Sequence, residues 1–315
     1  MTKVDIAPLH LTIHIGPHKT GTTALQTACA SGARTLAKSG VLYPKVCWHK
    51  PAQHRLAFAA KGRNLPGGGG VPDYGTELRA LATALASFPR DRALISSEEL
   101  FACPPEAILR LRDVLPDMTV QILTFLRRPD DFLVSSWNQK IRQPGNGFCA
   151  PIRRFVADPL QFAPEIDYAR CIGNWAAVFG DGAIRLEVYE GGPPLPRTLA
   201  LLGLPPDLLP DPTGVNRSVP GAVAECLRHA KLAGLSTETQ RRLLERAQAV
   251  FADGPGFHLT PEDRRKVLAA LEPANDALFR RFGKVNPFTP GIVAETEDRL
   301  NLSHKDLMRL VETLL

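Results

Sequence analysis

The chain has 315 residues, of which 44% are hydrophobic and 22% charged, and its formal net charge is +6. This length suits one large α/β domain or a domain with a helical appendage, and the composition is that of a globular protein. No stretch approaches the roughly 20 consecutive apolar residues of a membrane-spanning helix, and residues 1–9 lack the pattern of a secretory signal. We therefore expect a cytoplasmic protein.

The charge and the cysteines narrow the expected partners. A small positive excess suits an anionic ligand, but basic and aromatic residues do not interleave in the manner typical of nucleic-acid binding. The six cysteines form no CxxC pair and no zinc-ligand spacing, which is typical of free thiols in a reducing compartment. The composition thus excludes no enzyme class but disfavours a nucleic-acid partner and a membrane span.

Strands and helices alternate in the predicted order. The apolar and β-branched runs predict strands over Leu9–Ile15, Val41–Pro44, Ala93–Ser96, Thr119–Leu126 and Ala183–Tyr189. Helical spacing and proline or glycine boundaries predict helices over Thr22–Lys38, His54–Ala60, Glu77–Ser87, Pro104–Leu115, Pro129–Arg142 and Tyr168–Phe179. Beyond Gly214 nearly every segment has a helical pattern, to an amphipathic end at Leu307–Leu315. This order predicts an α/β fold with a mostly parallel central sheet flanked by helices. We expect a single domain over 1–315, mainly helical from about residue 215.

The first strand leads into a loop with a phosphate-binding pattern. A strand, a glycine-containing loop and a helix point backbone N–H groups and the positive helix end at an anion. Gly16, Gly21 and Thr23 fit the nucleoside-triphosphate pattern G-x-x-x-x-G-K-[ST], but Thr22 stands at its lysine position. The only lysine of the segment, Lys19, lies inside the loop.

The displaced lysine separates this loop from that of a kinase or an ATPase. In those enzymes the lysine reaches the β- and γ-phosphates, and the hydroxyl after it holds Mg²⁺. Lys19 would instead lie near the bridging oxygen of a shorter group. A phosphosulfate fits that reach, and because it carries fewer charges a metal is not required.

The segment Lys19–Leu25 resembles the loop P-K-[ST]-G-T-T of sulfotransferases that use 3′-phosphoadenosine-5′-phosphosulfate (PAPS). It is especially similar to the N-sulfotransferase domain of heparan-modifying enzymes. The resemblance implies a P-loop-like sulfotransferase fold, with PAPS as donor and 3′-phosphoadenosine-5′-phosphate (PAP) as product. It also implies a binding loop for the donor's 5′ end that consists of His18, Lys19, Thr20, Gly21, Thr22 and Thr23.

A second signature of this family follows the strand Thr119–Leu126. An Arg, a Pro two residues later and a Ser eight residues after the Arg are matched by Arg127, Pro129 and Ser135. The resemblance implies that Arg127 and Ser135 hold the 3′-phosphate of the donor. The planar donors of arginine suit that role.

The chain departs from the animal cytosolic enzymes of the family in two places. Ala24 stands where those enzymes carry an aromatic residue that stacks on adenine, and their late Arg-Lys-Gly-x-x-Gly segment is missing. Residues 215–218 resemble an Asn-x-Ser element of bacterial members, and Arg217 within it would supply the missing cation. The adenine contacts therefore stay open.

Sulfuryl transfer to an alcohol or an amine needs stabilisation of charge on the leaving phosphate, which Lys19 would supply, and a base near the acceptor. Glu98 closes the strand Ala93–Ser96, where the cytosolic enzymes place a catalytic His, and such strand ends face the ligand crevice. His54 follows Lys19 by 35 residues, where glycan and tyrosyl-protein sulfotransferases place a catalytic Glu. We favour Glu98 as base, with His54 orienting the acceptor or replacing Glu98, so both stay candidates. We expect His18 to contact backbone and His14 to pack in the sheet.

The sequence therefore predicts a PAPS-dependent sulfotransferase of bacterial type. It would act on a hydroxyl or an amine of a glycan, a lipid head group or a small metabolite, with no metal. Two alternatives stay open. A P-loop kinase or NTPase would need the missing lysine and an Asp at a strand end, and a catalytically silent PAP-binding protein would bind PAP without turnover. The oligomeric state is open as well.

Overall fold

The computed structural model describes residues 10–88, 92–115, 118–212, 220–251 and 258–292. The chain divides into two compact units, Met1–Arg127 with Tyr168–Val215, and Arg128–Asp167 with Asn216–Leu315. The chain passes between the two units three times, the last time at residues 215–216, and the expectation of a single domain over 1–315 stays a prediction. That Arg128–Asp167 belongs with the C-terminal region was not indicated by the sequence pattern, which reports local structure only.

The first unit contains a five-stranded sheet in the order β2-β3-β1-β4-β5. Its strands are β1 His10–Gly16, β2 Val41–Leu42, β3 Arg92–Ser96, β4 Thr119–Leu126 and β5 Ile184–Val188. Each pair of neighbours is parallel. Successive residues of a strand point to opposite faces, and residues 11–16 of β1 are all buried, so both faces of β1 are covered. The predicted α/β fold with a parallel sheet flanked by helices is confirmed.

The predicted helices are present with small changes at their ends, and three further helices, over Ile152–Ala157, Pro159–Phe162 and Pro194–Leu201, were not predicted. In chain order, the described helices of the two units are α1 Thr22–Ser31, α2 Ala33–Lys38, α3 His54–Ala60, α4 Tyr74–Ala86, α5 Pro105–Asp113, α6 Pro129–Ile141, α7 Ile152–Ala157, α8 Pro159–Phe162, α9 Tyr168–Phe179, α10 Pro194–Leu201, α11 Gly221–Leu232, α12 Thr237–Val250 and α13 Pro261–Arg281. The helix predicted over Thr22–Lys38 is two helices, because it breaks at Gly32, a residue with poor helix propensity.

Packing of α1 fixes the direction in which the first loop points. Leu25 and Cys29 of α1 are fully buried and belong to one apolar cluster with Leu94 of β3 and Leu199 of α10. This apolar face holds α1 against the sheet, so the N-terminus of α1 stays at the carboxyl end of β1.

The second unit is helical in its described part. Its core includes Phe132 and Trp137 of α6, Leu227 of α11 and Val267 of α13. The helical pattern expected beyond Gly214 is present in α11, α12 and α13, and Leu307–Leu315 lies outside the described residues. Among the helices described in either unit, none combines the length and apolar character that crossing a bilayer requires.

Candidate functional site

The strand order creates a crevice at the carboxyl end of the sheet. From β1 the chain passes to β2 and β3 on one side of β1, and it then crosses to β4 on the other side. Ligands of open α/β sheets bind at such a reversal. The loop after β1 contains Lys19, Glu98 follows β3, Arg127 follows β4 and Tyr189 follows β5. The first unit therefore brings three sequence-predicted residues to one edge of its sheet.

The loop between β1 and α1 has a backbone suited to an anion. Lys19 and Gly21 have left-handed φ angles of 68° and 73°. Gly21 precedes α1 directly, no described side chain caps this helix, and its first turn carries no acidic residue. The first N–H groups of a helix have no partner within it and attract negative charge. The loop therefore offers backbone donors to an anionic group.

The threonines of the loop differ in their environment. Thr20 is fully buried and donates its hydroxyl to the Pro17 carbonyl (2.8 Å), so it closes the turn from within. Thr22, at the position of the missing lysine, is also buried, whereas Thr23 is exposed. Of the three threonines, Thr23 is therefore the one that is accessible to solvent.

Arg127 ties the end of β4 to this loop. Its Nη1 donates to the Lys19 carbonyl (3.1 Å), and its own carbonyl accepts the Tyr168 hydroxyl (2.7 Å). Its guanidinium lies 5.8 Å from the centre of the Tyr189 ring, within the range of a cation–π contact. The predicted phosphate ligand Arg127 is thus also a structural support of the loop that holds Lys19.

Glu98 and His54, the two candidate bases, lie together. The Nε2 atom of His54 is 3.9 Å from Glu98 Oε2, and its Nδ1 hydrogen-bonds the Ser97 hydroxyl (2.7 Å). Gln26 Nε2 donates to Glu98 Oε2 (2.6 Å). The Glu98 side chain is 13% exposed. The geometry keeps both candidates within reach of one bound acceptor, so the choice between them stays a prediction.

The pKa values of this pair favour a carboxylate beside a neutral imidazole. Burial raises the pKa of Glu98, but His54, His18 and the hydrogen bond from Gln26 outweigh it, so the pKa lies below its usual value. Burial lowers the pKa of His54 more than Glu98 and Glu99 raise it. At neutral pH, Glu98 is therefore ionised and His54 uncharged.

His18 has a different environment from the one expected. Its Nδ1 lies 3.8 Å from Glu98 Oε1 and its Nε2 lies 3.4 Å from Glu99 Oε1. Glu99 also accepts from Lys61 Nζ (2.5 Å). We expected a backbone contact, but the ring faces two carboxylates, because adjacent acidic residues after β3 meet the loop after β1.

His14 lies beneath the cluster, in the sheet. It is fully buried, its Nδ1 hydrogen-bonds the Ser96 hydroxyl (2.8 Å) and its ring contacts Phe125 edge-on. Burial lowers the pKa of His14 to about 4, although Glu98 acts in the opposite direction. His14 is therefore neutral at physiological pH, as a packing role requires.

The other predicted ligands lie elsewhere in the chain. Ser135 is a half-buried residue of α6, in the second unit, and Arg217 lies outside the described residues. The predicted 3′-phosphate site of Arg127 and Ser135 therefore stays a prediction. Within the described ranges, no three His, Cys, Asp or Glu side chains are grouped so that they could hold a metal ion.

Three polar residues of this site were missed by the sequence analysis. Gln26 and Ser97 contact the candidate bases, and Tyr189 lies beside Gly21, since a Cβ built on Gly21 would be 3.4 Å from the Tyr189 ring. Gln26 falls on the same helical face as Thr22, one turn earlier, and Ser97 directly precedes Glu98. These two sequence positions, beside predicted site residues, could have identified Gln26 and Ser97.

Comparison with known proteins supports the fold. The chain matches a crystal structure of a sulfotransferase from Alicyclobacillus acidocaldarius with a TM-score of 0.52, over 89% of this chain and 97% of that chain, at 16% sequence identity. Comparisons with models of protein families and with curated proteins gave no match. At this identity the likeness shows a shared fold, and the activity has to be argued from the site.

The buried His14 predicts an acid-sensitive fold. Its pKa of about 4 lies below the ordinary 6.5, so the unfolded chain binds the proton more readily. The stability is fully present above pH 6.5 and falls as the pH drops toward 4. Between pH 7 and pH 5, His14 alone should cost about 2 kcal/mol of the free energy of unfolding.

Urea denaturation at pH 7 and pH 5 measures this effect in the wild type, in His14→Gln and in His10→Gln. His10 is the matched control, because it is an exposed histidine of the same strand. The His14 variant should lose the smaller amount of stability at pH 5. Equal losses in the wild type and His14→Gln would contradict the interpretation.

Proposed function

We propose that this chain is a sulfotransferase that transfers a sulfuryl group from PAPS to a hydroxyl or an amine and releases PAP. The acceptor would be a glycan, a lipid head group or a small metabolite. One observation carries the proposal: a loop with an internal lysine and a carboxylate–imidazole pair lie at the same end of one parallel sheet. Such a site combines an anion-binding element with a base.

The donor side is supported by the loop after β1. Backbone N–H groups of Gly21 to Thr23 and the Lys19 side chain would hold the 5′ end of PAPS. Buried Thr22 replaces the lysine that a nucleoside triphosphate needs, which argues against a kinase or an NTPase. Arg127, with Ser135 and Arg217, would hold the 3′-phosphate. The fold shared with a sulfotransferase adds to this assignment.

The acceptor side is supported by the Glu98–His54 pair. Glu98 would take the proton of the acceptor while the acceptor's oxygen or nitrogen bonds to sulfur. The bond from sulfur to the bridging oxygen breaks, and the 5′-phosphate of PAP leaves with its electron pair. Lys19 would stabilise the charge that grows on this leaving group. His54, whose Nε2 faces Glu98, would orient the acceptor or replace Glu98.

The donor identity is tested by thermal shift with PAP, PAPS, ATP and GTP, each with and without Mg²⁺. PAP should stabilise the protein without Mg²⁺, by about 2.7 kcal/mol at 100 times its dissociation constant. Stabilisation by ATP that depends on Mg²⁺, with no response to PAP, would contradict the proposal.

Incubation of cell extract with labelled PAPS, followed by mass spectrometry, then identifies the acceptor. PAP binding with no transfer, even to water, would indicate a silent PAP-binding protein.

The two phosphate-binding roles should separate by mutation. Lys19→Ala should lower the rate of PAPS turnover about 10²–10³-fold, more than it weakens PAP binding, because Lys19 acts on charge that develops in the transition state. Ser135→Ala and Arg127→Ala should weaken PAP binding instead, with the larger effect in Arg127→Ala, which also removes the bond to the Lys19 carbonyl. Calorimetric titration with PAP measures the affinities. Equal loss of PAP affinity in all three variants would show that the roles are wrongly assigned.

The base is tested with Glu98→Gln and His54→Ala. Glu98→Gln keeps the shape but removes the proton acceptor, so turnover of PAPS should fall about 10²–10⁴-fold while PAP binding is retained. His54→Ala should lower turnover less. In the wild type the acidic limb of the pH–rate profile should lie below the usual pKa of a glutamate, because the pKa of Glu98 is lowered. Near-normal turnover in Glu98→Gln with an inactive His54→Ala would reverse the assignment.

A further inference from the structure

Gln26 is a buried amide in the second turn of α1. The residue is 2% exposed, and its Nε2 lies 2.6 Å from Glu98 Oε2. An ionised carboxylate only accepts hydrogen bonds, so the atom that faces Glu98 must be the amide nitrogen. The orientation of the Gln26 amide follows from this chemistry, and one of its two hydrogens is directed to Glu98.

The second hydrogen of the amide has a partner in the sheet. Gln26 Nε2 also donates to the Ser96 hydroxyl (3.3 Å), which lies 2.8 Å from His14 Nδ1. The Ser96 hydroxyl therefore contacts both the Gln26 amide and the His14 ring, so Gln26 is held by the sheet as well as by Glu98.

We propose that Gln26 is a positioning residue that holds the Glu98 carboxylate in the orientation required for proton transfer. It binds Oε2, the oxygen that also faces His54, whereas Oε1 faces His18. The inference rests on the proposed function, since it assigns Glu98 as base.

The position of Gln26 also couples this base to the donor loop. Gln26 lies one helical turn after Thr22, in the same helix whose N-terminus ends the loop. A helix of this kind is rigid, so the Gln26–Glu98 bond fixes the distance between the carboxylate and the anion-binding backbone. Precise placement of reacting groups accounts for a large part of catalysis.

The experiment compares Gln26→Leu, Gln26→Glu and the control Cys29→Ala. Cys29 is a buried free thiol on the same helix, where it packs in the apolar cluster with Leu25. Three quantities are measured: hydrolysis of PAPS with water as acceptor, PAP affinity, and the titration of the Glu98 carboxyl followed by ¹³C NMR. The Glu98 resonance is identified by its absence from Glu98→Gln.

Loss of the amide hydrogen bond should slow PAPS hydrolysis about tenfold or more in Gln26→Leu, with PAP affinity changed less than about twofold. The Glu98 carboxyl should titrate at higher pH, because the hydrogen bond that favours its ionised form is gone. Gln26→Glu should raise that pH further, through like-charge repulsion, and Cys29→Ala should match the wild type in all three measurements. Slower hydrolysis with an unchanged Glu98 titration, or a shifted titration with unchanged hydrolysis, would overturn the positioning role.

A measurement on the wild type keeps the inference testable if both Gln26 variants fail to fold. The side-chain amide resonances of Gln26 should move with pH along the same curve as the Glu98 carboxyl, and resonances that ignore this titration would overturn the inference. If the wild type neither binds PAP nor hydrolyses PAPS, the proposed function fails. The NMR titration still decides whether Gln26 holds the Glu98 carboxylate.

Discussion

Gly16 packs so closely against Glu98 that no side chain fits between them. A Cβ built on Gly16 would lie 2.8 Å from both Cα and Cβ of Glu98, and the φ angle of Gly16 is 92°. Only glycine meets both conditions at little cost. The Gly16 carbonyl also accepts the hydroxyl of Thr124 from β4. The ends of β1, β3 and β4 are thereby joined at one residue, so the loop that contains Lys19 and the turn that contains Glu98 have a fixed relation.

This close packing brings charged side chains together in a small region that is largely shielded from solvent. Burial of a carboxylate is costly unless it is paired and hydrogen-bonded. Glu98 has Gln26 and two imidazoles around it, and Glu99 has Lys61. In proteins generally, hydrophobic replacement of a buried ion pair is often neutral or stabilising, and groups with shifted pKa values in a crevice are typical of functional sites. The arrangement is thus better explained by chemistry than by stability.

Much of the fold could be predicted because it follows from local patterns. The bounds of α3 and β4 agree with the expected ones, since glycine, proline and apolar periodicity mark them directly. The contact between Gln26 and Glu98 joins residues 72 positions apart, so the helical face that Gln26 shares with Thr22 indicated a place near the loop but not the contact with Glu98. The contacts of His18 could not be predicted either, because they come from Glu98 and Glu99, which follow β3. Lys19, Glu98 and His54 could be selected as candidate site residues because their residue types occur at the ends of strands and loops. Their contact partners could not be predicted, because these depend on how the elements pack against each other.

The order of the strands also separates the charges across the crevice. Lys19 follows the central strand β1 and Arg127 follows β4, whereas Glu98 and Glu99 follow β3 on the other side of β1. In the proposed reaction a proton leaves the acceptor while negative charge moves to the departing phosphate. Carboxylates on the β3 side favour the first event and cations on the β1 and β4 side favour the second, because fixed charges stabilise a transition state when they are aligned with the charge that develops in it. The order of the strands, with β3 on one side of β1 and β4 on the other, supplies that alignment before any ligand binds.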